Sequence, residues 1–172
     1  MNTIKIALIL LILPLQARAD DIPLGDINVA LEVTAQPRIE VEKPQGGWYS
    51  SIKLTSDPDN YSLYQVEIPV TVKLRRQESY RVSVKQPLTL ARHSGVMHTP
   101  VQEFSTAKIS WGTDRANMRL LSIDPETFNI AKSTSSQTST DYLLHISAQA
   151  PNGSDIAGHY HGQLTLLFET NS

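Results

Sequence analysis

Five histidines and no cysteine limit the chemistry open to this 172-residue chain. His159 and His161 stand two apart in Gly158-His-Tyr-His-Gly162, so on an extended strand both rings project from one face and present two imidazole nitrogens. A zinc site takes three or four ligands. His93, His98, His145 or a carboxylate would have to complete this one, and no spacing selects among them. Asp57 and Asp59 start like a calcium loop, but the glycine and the distal glutamate of an EF-hand loop are missing. There is no Gly-x-Ser-x-Gly elbow, His-Glu-x-x-His pair, phosphate loop or glycine-rich dinucleotide fingerprint. Carboxylates such as Glu67, Glu78, Asp114 and Glu126 fall at turns or on polar strand positions. The sequence therefore predicts no catalytic residue, no cofactor, no metal and no enzyme, with His159 and His161 read as solvated strand histidines that would become metal ligands only if a third ligand joined them.

Two tryptophans and a pair of arginines remain. Trp111 continues the apolar alternation of Ile109 and reads as core, whereas Trp48 follows two glycines and reads as core or inter-subunit packing, with carbohydrate stacking as the other use. Arg75-Arg76 reads as a solvated turn.

What must position these residues is set first by compartment. Lys5 precedes an apolar run, Ile6 to Leu15, and Ala17-Arg18-Ala19 places small residues at a cleavage site, the pattern of a secretory signal peptide over residues 1–19. A run of about ten residues is too short for the roughly 20 that span a bilayer, so no transmembrane span is expected. Cleavage removes Lys5 and Arg18 and leaves 13 basic against 17 acidic residues, a formal charge of −4, which argues against nucleic acid as a partner. The mature 153 residues (172 less 19) suit one domain with a real core. Without cysteine, that domain has no disulfide staple.

The strand pattern is legible along nearly the whole mature chain. In Ile27–Ala35, Ile27, Val29, Leu31, Val33 and Ala35 share one face, with Gly25 before the strand and Pro37 behind it. Tyr64–Leu74 alternates in the same way, with Pro69 marking an edge position or a bulge. Arg75–Ser79 reads as a hairpin tip from which Tyr80–Val84 returns. Shorter candidates follow at Ser51–Leu54, Leu88–Ala91, Lys108–Trp111, Met118–Ile123, Phe128–Ile130 and Tyr142–Ala148, and the Ser/Thr tract 133–140 reads as a long exposed loop. The closing strand carries Tyr160, Gly162, Leu164, Leu166 and Phe168 on one face. Strands at this spacing, without a helix-period segment, predict an all-β antiparallel sandwich.

The N-terminal strand ending at Pro37, the segment Tyr64–Val84, Ile109-Ser-Trp-Gly112 and the closing Ala157–Phe168 together resemble the major subunits of colonisation-factor-type fimbriae, the alpha clade of chaperone–usher pili. The absence of cysteine agrees with that clade; the acidic, proline-containing leader Asp20–Leu24 and the pair His159 and His161 depart from its pattern. The resemblance implies an immunoglobulin-like sandwich that lacks its final strand and is completed by a donated N-terminal one. It implies a fimbrial structural subunit that polymerises by donor-strand exchange. Residues 20–37 are then the extension, with Ile27, Val29, Leu31, Val33, Ala35 and Pro37 as the donor strand. Residues 38–172 are the domain, with Tyr160, Gly162, Leu164, Leu166 and Phe168 along the acceptor groove. Its implied partners are neighbouring copies, a periplasmic chaperone, an outer-membrane usher and a tip adhesin, on a route from periplasm to cell-surface fimbrium. Two other readings stand beside it. One is a minor fimbrial subunit; the other is a self-contained periplasmic binding module whose first strand folds into its own sheet. A tip adhesin or a chaperone ordinarily needs a second domain and more chain.

Overall fold

Period-two alternation becomes strand wherever it persists. The computed structural model describes residues 27–33, 39–92, 102–130, 136–153 and 156–170. The leader, Ala35, Pro37, His93 and His98 lie outside them. The described strands are β1 (Ile27–Val33), β2 (Ile39–Glu42), β3 (Ser51–Ile52), β4 (Thr55–Ser56), β5 (Leu63–Arg75) and β6 (Ser79–Val84), followed by β7 (Ala91–Arg92), β8 (Lys108–Gly112), β9 (Arg119–Leu121), β10 (Glu126–Asn129), β11 (Gln137–Gln149) and β12 (Tyr160–Thr170). One sheet runs β10-β6-β12-β1-β3 with β7 beside β12; the other runs β2-β5-β11-β8-β9 with β4 beside β5. The two sheets make the sandwich expected from the sequence.

Its centre is aromatic. Trp111 of β8 stacks on Tyr142 of β11 with centroids 5.1 Å apart, and meets Phe168 of β12 edge-on at 5.5 Å. Tyr80 of β6 stacks against Phe168 and Phe128, and the indole N–H of Trp111 donates to its hydroxyl at 2.8 Å across the two sheets. Trp111 is fully buried, as its alternation with Ile109 implies.

Four local expectations are corrected. Tyr80–Val84 does not return beside the strand before it: β5 pairs with β2, β4 and β11, while β6 pairs with β10 and β12 in the opposite sheet. The three residues 76–78 carry the chain across, beginning with Arg76 in left-handed backbone at φ 53°. Both strands have one apolar face, and facing each other across the core buries the two faces together, which pairing side by side cannot do. Pro69 lies in a central strand rather than at an edge, opposite Leu143 of β11. On the other flank β4 covers Tyr64 and Gln65, and β2 covers Thr71 to Leu74, so Pro69 falls in the gap between them. Its carbonyl accepts from the Tyr49 hydroxyl at 2.8 Å. A strand residue's N and C=O point to the same side, so the missing N–H faces that gap, where no ladder needs it.

The Ser/Thr tract is not wholly loop, because Gln137–Thr140 extends β11 opposite Val72–Arg75. Leu88–Ala91 is strand only at its end, in β7, although Leu88 and Leu90 are buried. Among the described residues the ladders are antiparallel with one exception, β1 against β12.

The Trp111–Tyr80 bond is testable. Tyr80→Phe leaves the buried indole N–H without its acceptor and should cost about 1–3 kcal/mol in urea unfolding. Burial pushes the phenols of Tyr80 and Tyr142 above the ordinary value of 10.0. These groups stay protonated in the fold while the unfolded chain ionises, so their stabilisation is intact below about pH 10 and declines as pH rises further. Alkaline unfolding should accordingly shift to higher pH in Tyr80→Phe than its neutral-pH loss implies; an unshifted alkaline limb would remove Tyr80 from this account.

Candidate functional site: the slot beside the last strand

β12 is the element around which a site forms. On one side it is covered by β6 and β7; on the other it is covered by β1. Tyr160, Leu164, Leu166 and Phe168 are all fully buried on its inner face. Gly162 shares that face and supplies space: a Cβ there would lie 2.7 Å from Leu88 Cδ1, 2.8 Å from Leu90 Cδ2 and 2.9 Å from the Thr89 carbonyl oxygen. The missing side chain is what allows the 88–90 segment to close under the start of β12.

β1 fills the slot in register. Ile27 lies opposite Gly162, Val29 opposite Leu164, Leu31 opposite Leu166 and Val33 opposite Phe168, all in parallel. Ile27 is fully buried, Val29 is 6% exposed and Leu31 is half-buried against the core. On its far side β1 pairs with β3 only at Ile27 and Asn28. Beyond that point Trp48 takes over, its indole N–H donating to the Val29 carbonyl at 3.2 Å. The ammonium of Lys85 donates to Glu32 at 2.8 Å, reaching β1 from beyond β6.

The loop that delivers Trp48 has an identifiable cause. Gly46 and Gly47 adopt φ 84° and 77°, backbone that side-chain-bearing residues rarely take. The Gly46 N–H donates to the Lys43 carbonyl, and the Lys43 N–H to the Gly47 carbonyl. Trp48 and Tyr49 then meet edge to face at 5.7 Å, one gripping β1 and the other the Pro69 carbonyl of β5. This strap ties the two sheets at the mouth of the slot. Its sequence signal was the Gly-Gly pair ahead of two aromatics; the partner of each ring was not readable.

The remaining candidates are placed elsewhere. His159 and His161 are exposed, and among the described residues no group of three His, Asp or Glu is arranged to hold a metal ion. Asp57 accepts from the backbone N–H groups of Asp59 and Asn60, so its carboxylate organises a turn. Arg75 pairs with Glu40 at 3.1 Å. A polar groove of about 550 Å³ lies over Gln65, Glu67, Ser110, Arg115 and His145. Its groups satisfy one another, His145 with Gln65 at 3.0 Å and Arg115 with Glu67 at 3.0 Å. Among the described residues no helix is long and apolar enough to cross a membrane.

Among the described residues the fold is a two-sheet β-sandwich in which the first strand lies against the last. The chain belongs to the CS1 type fimbrial major subunit family, which it matches over residues 24–169. Among solved structures it is similar to the CooA pilin subunit from enterotoxigenic Escherichia coli, at 13% identity and a TM-score of 0.49, covering 79% of this chain and 99% of that one. No curated protein matches the sequence.

The slot's packing predicts the effect of one added methyl group. Gly162→Ala places a Cβ against the Thr89 carbonyl oxygen, which a side-chain rotation cannot relieve, and overpacking of this kind costs about 1–3 kcal/mol. Thermal unfolding should shift downward accordingly; an unchanged midpoint would show that the 88–90 segment is not closed under β12.

Proposed function

We propose that this pilin subunit polymerises by donor-strand exchange into an adhesive surface fimbria. Residues 20–37 are the extension left by cleavage after Ala19. Ile27, Val29, Leu31, Val33, Ala35 and Pro37 are the donor strand, and the slot along Tyr160, Gly162, Leu164, Leu166 and Phe168 is the acceptor. The observation that carries this reading is the fit of β1 to β12: the inner face of β12 needs a strand beside it, and the one that fits comes from the head of the chain. Main-chain hydrogen bonds along such an edge give affinity, and alternate side chains in pockets give specificity. Burying Ile27 and Val29 contributes about 1.5–3 kcal/mol each, as an upper estimate. A periplasmic chaperone that holds the slot during export, an outer-membrane usher and a tip adhesin complete the route.

One observation favours a second reading. In the single chain β1 pairs with its own β12, as it would in a self-contained binding module. Trp48, one ligand platform considered for such a module, is instead bonded to the β1 backbone.

Val29→Asp separates the two. A carboxylate in place of a buried valine leaves a charge unpaired in an apolar slot, at a cost of several kcal/mol. Under donor-strand exchange a Val29→Asp subunit cannot donate, yet its slot still accepts. Alone it should give no polymer, and mixed with the natural subunit it should cap chains, shortening polymers as its fraction rises. Full-length polymers made by Val29→Asp alone would sink the donor assignment.

A further inference from the structure

We propose that the subunit carries its own stop: β1 seated in its own slot, fastened by Trp48 and Lys85, makes a closed monomer that neither offers its strand nor accepts a neighbour's. This rests on the donor-strand reading and adds a regulated state to it. Among the described residues β1 is the strand that fills this slot, and the same side chains, Ile27 and Val29, cannot be buried at home and in a neighbour at once.

The fastening is graded along β1. Its first two residues are held on both edges, by β12 and by β3. Val29 is held by β12 and by the Trp48 indole. From Ala30 onward the far edge has no strand partner among the described residues, Leu31 is only half-buried, and the Lys85–Glu32 pair is exposed and screened by salt. Release therefore begins at the Val33 end and stops at Trp48, which must let go before Ile27 and Val29 can leave. The parallel ladder also favours eventual exchange, since parallel pairing is slightly less stable per residue than antiparallel and a strand from another chain is free to run either way.

Kinetics make the closed state the default. Five residues, 34–38, connect β1 to β2, and a strand on a short tether meets its slot at an effective concentration on the order of millimolar. Neighbours at micromolar concentration lose that competition. A subunit stays open for joining when a partner with an exposed, alternating apolar strand occupies the slot as the chain folds.

Asn28 and Ser51 are exposed cross-strand partners in an otherwise cysteine-free chain, so Asn28→Cys with Ser51→Cys reports the seat directly. Directly opposed antiparallel residues lie within disulfide reach. In the purified mature monomer the proposal expects a disulfide within one chain, no joining while it is oxidised, and on reduction only slow joining, at the rate at which β1 leaves its own slot. If no bond forms within the monomer although the reduced protein polymerises, the stop is refuted and the donor reading stands. If the oxidised monomer polymerises as well as the reduced one, β1 is not donated, and both readings fail. Trp48→Phe keeps the ring and removes the bond to Val29, so uptake of a synthetic Ile27–Pro37 peptide should speed up about fivefold, the factor for one ordinary hydrogen bond. An unchanged rate would overturn the role of Trp48 in the stop.

Discussion

The flank of β12 that β1 covers is the constraint on which the rest of the molecule depends. A strand whose inner face carries Tyr160, Leu164, Leu166 and Phe168, all fully buried, has to be covered on both edges or the core opens to water. β6 and β7 cover one edge permanently. The other is covered by seven residues from the opposite end of the chain, along a ladder that β3 supports for only two of them. Two features of the mouth serve that contact: Gly162 is small so that Leu88 and Leu90 can pack beneath it, and the Gly46-Gly47 turn brings Trp48 over the free edge of β1.

A cysteine-free domain has to be held by packing, and here the packing is concentrated in an aromatic cluster drawn from both sheets. Trp111 and Tyr142 come from one sheet, Tyr80, Phe128 and Phe168 from the other. Phe168 lies in both the cluster and the slot strand, so the stability of the core and the occupancy of the slot are coupled through one ring. Ion pairs such as Arg75–Glu40 and Arg119–Glu126 are exposed and contribute little by comparison.

Period-two alternation made the strands legible: β5, β6, β11 and β12 keep the apolar face that their sequences show, and β1 does so at Ile27 and Val29. Partnership was much less legible. Alternation states that one face is buried but not which strand lies alongside, so the three residues after Arg75 looked like a hairpin when they cross between sheets. Pro69 suggested an edge, but it lies in a central strand, where it faces a break between β2 and β4 that no local pattern announces. The polar residues Gln137–Thr140 gave no apolar signal, and their extended pairing comes from the length of β5 opposite them. Of the slot, both sets of inward residues were readable from Ile27 to Val29 and from Tyr160 to Phe168. The direction of pairing and the grip of Trp48 were not, because both depend on long-range placement that no local pattern encodes.

That placement has a consequence for how the domain comes into being. The head and tail of the described chain, Ile27 and Thr170, belong to adjacent strands, so the slot does not exist until nearly the whole sequence is available. The main sandwich ladder joins β5 to β11 across another long loop of sequence. Topologies dominated by such pairings close slowly, since the entropy of loop closure is lost before any contact repays it. During that interval β12 presents an unpaired edge beside an apolar face, the arrangement most prone to pairing with whatever strand is nearby. The unpaired edge thus makes the unfinished subunit hazardous, and its own β1, joined to β2 by five residues, is the strand that ends that exposure in the folded chain.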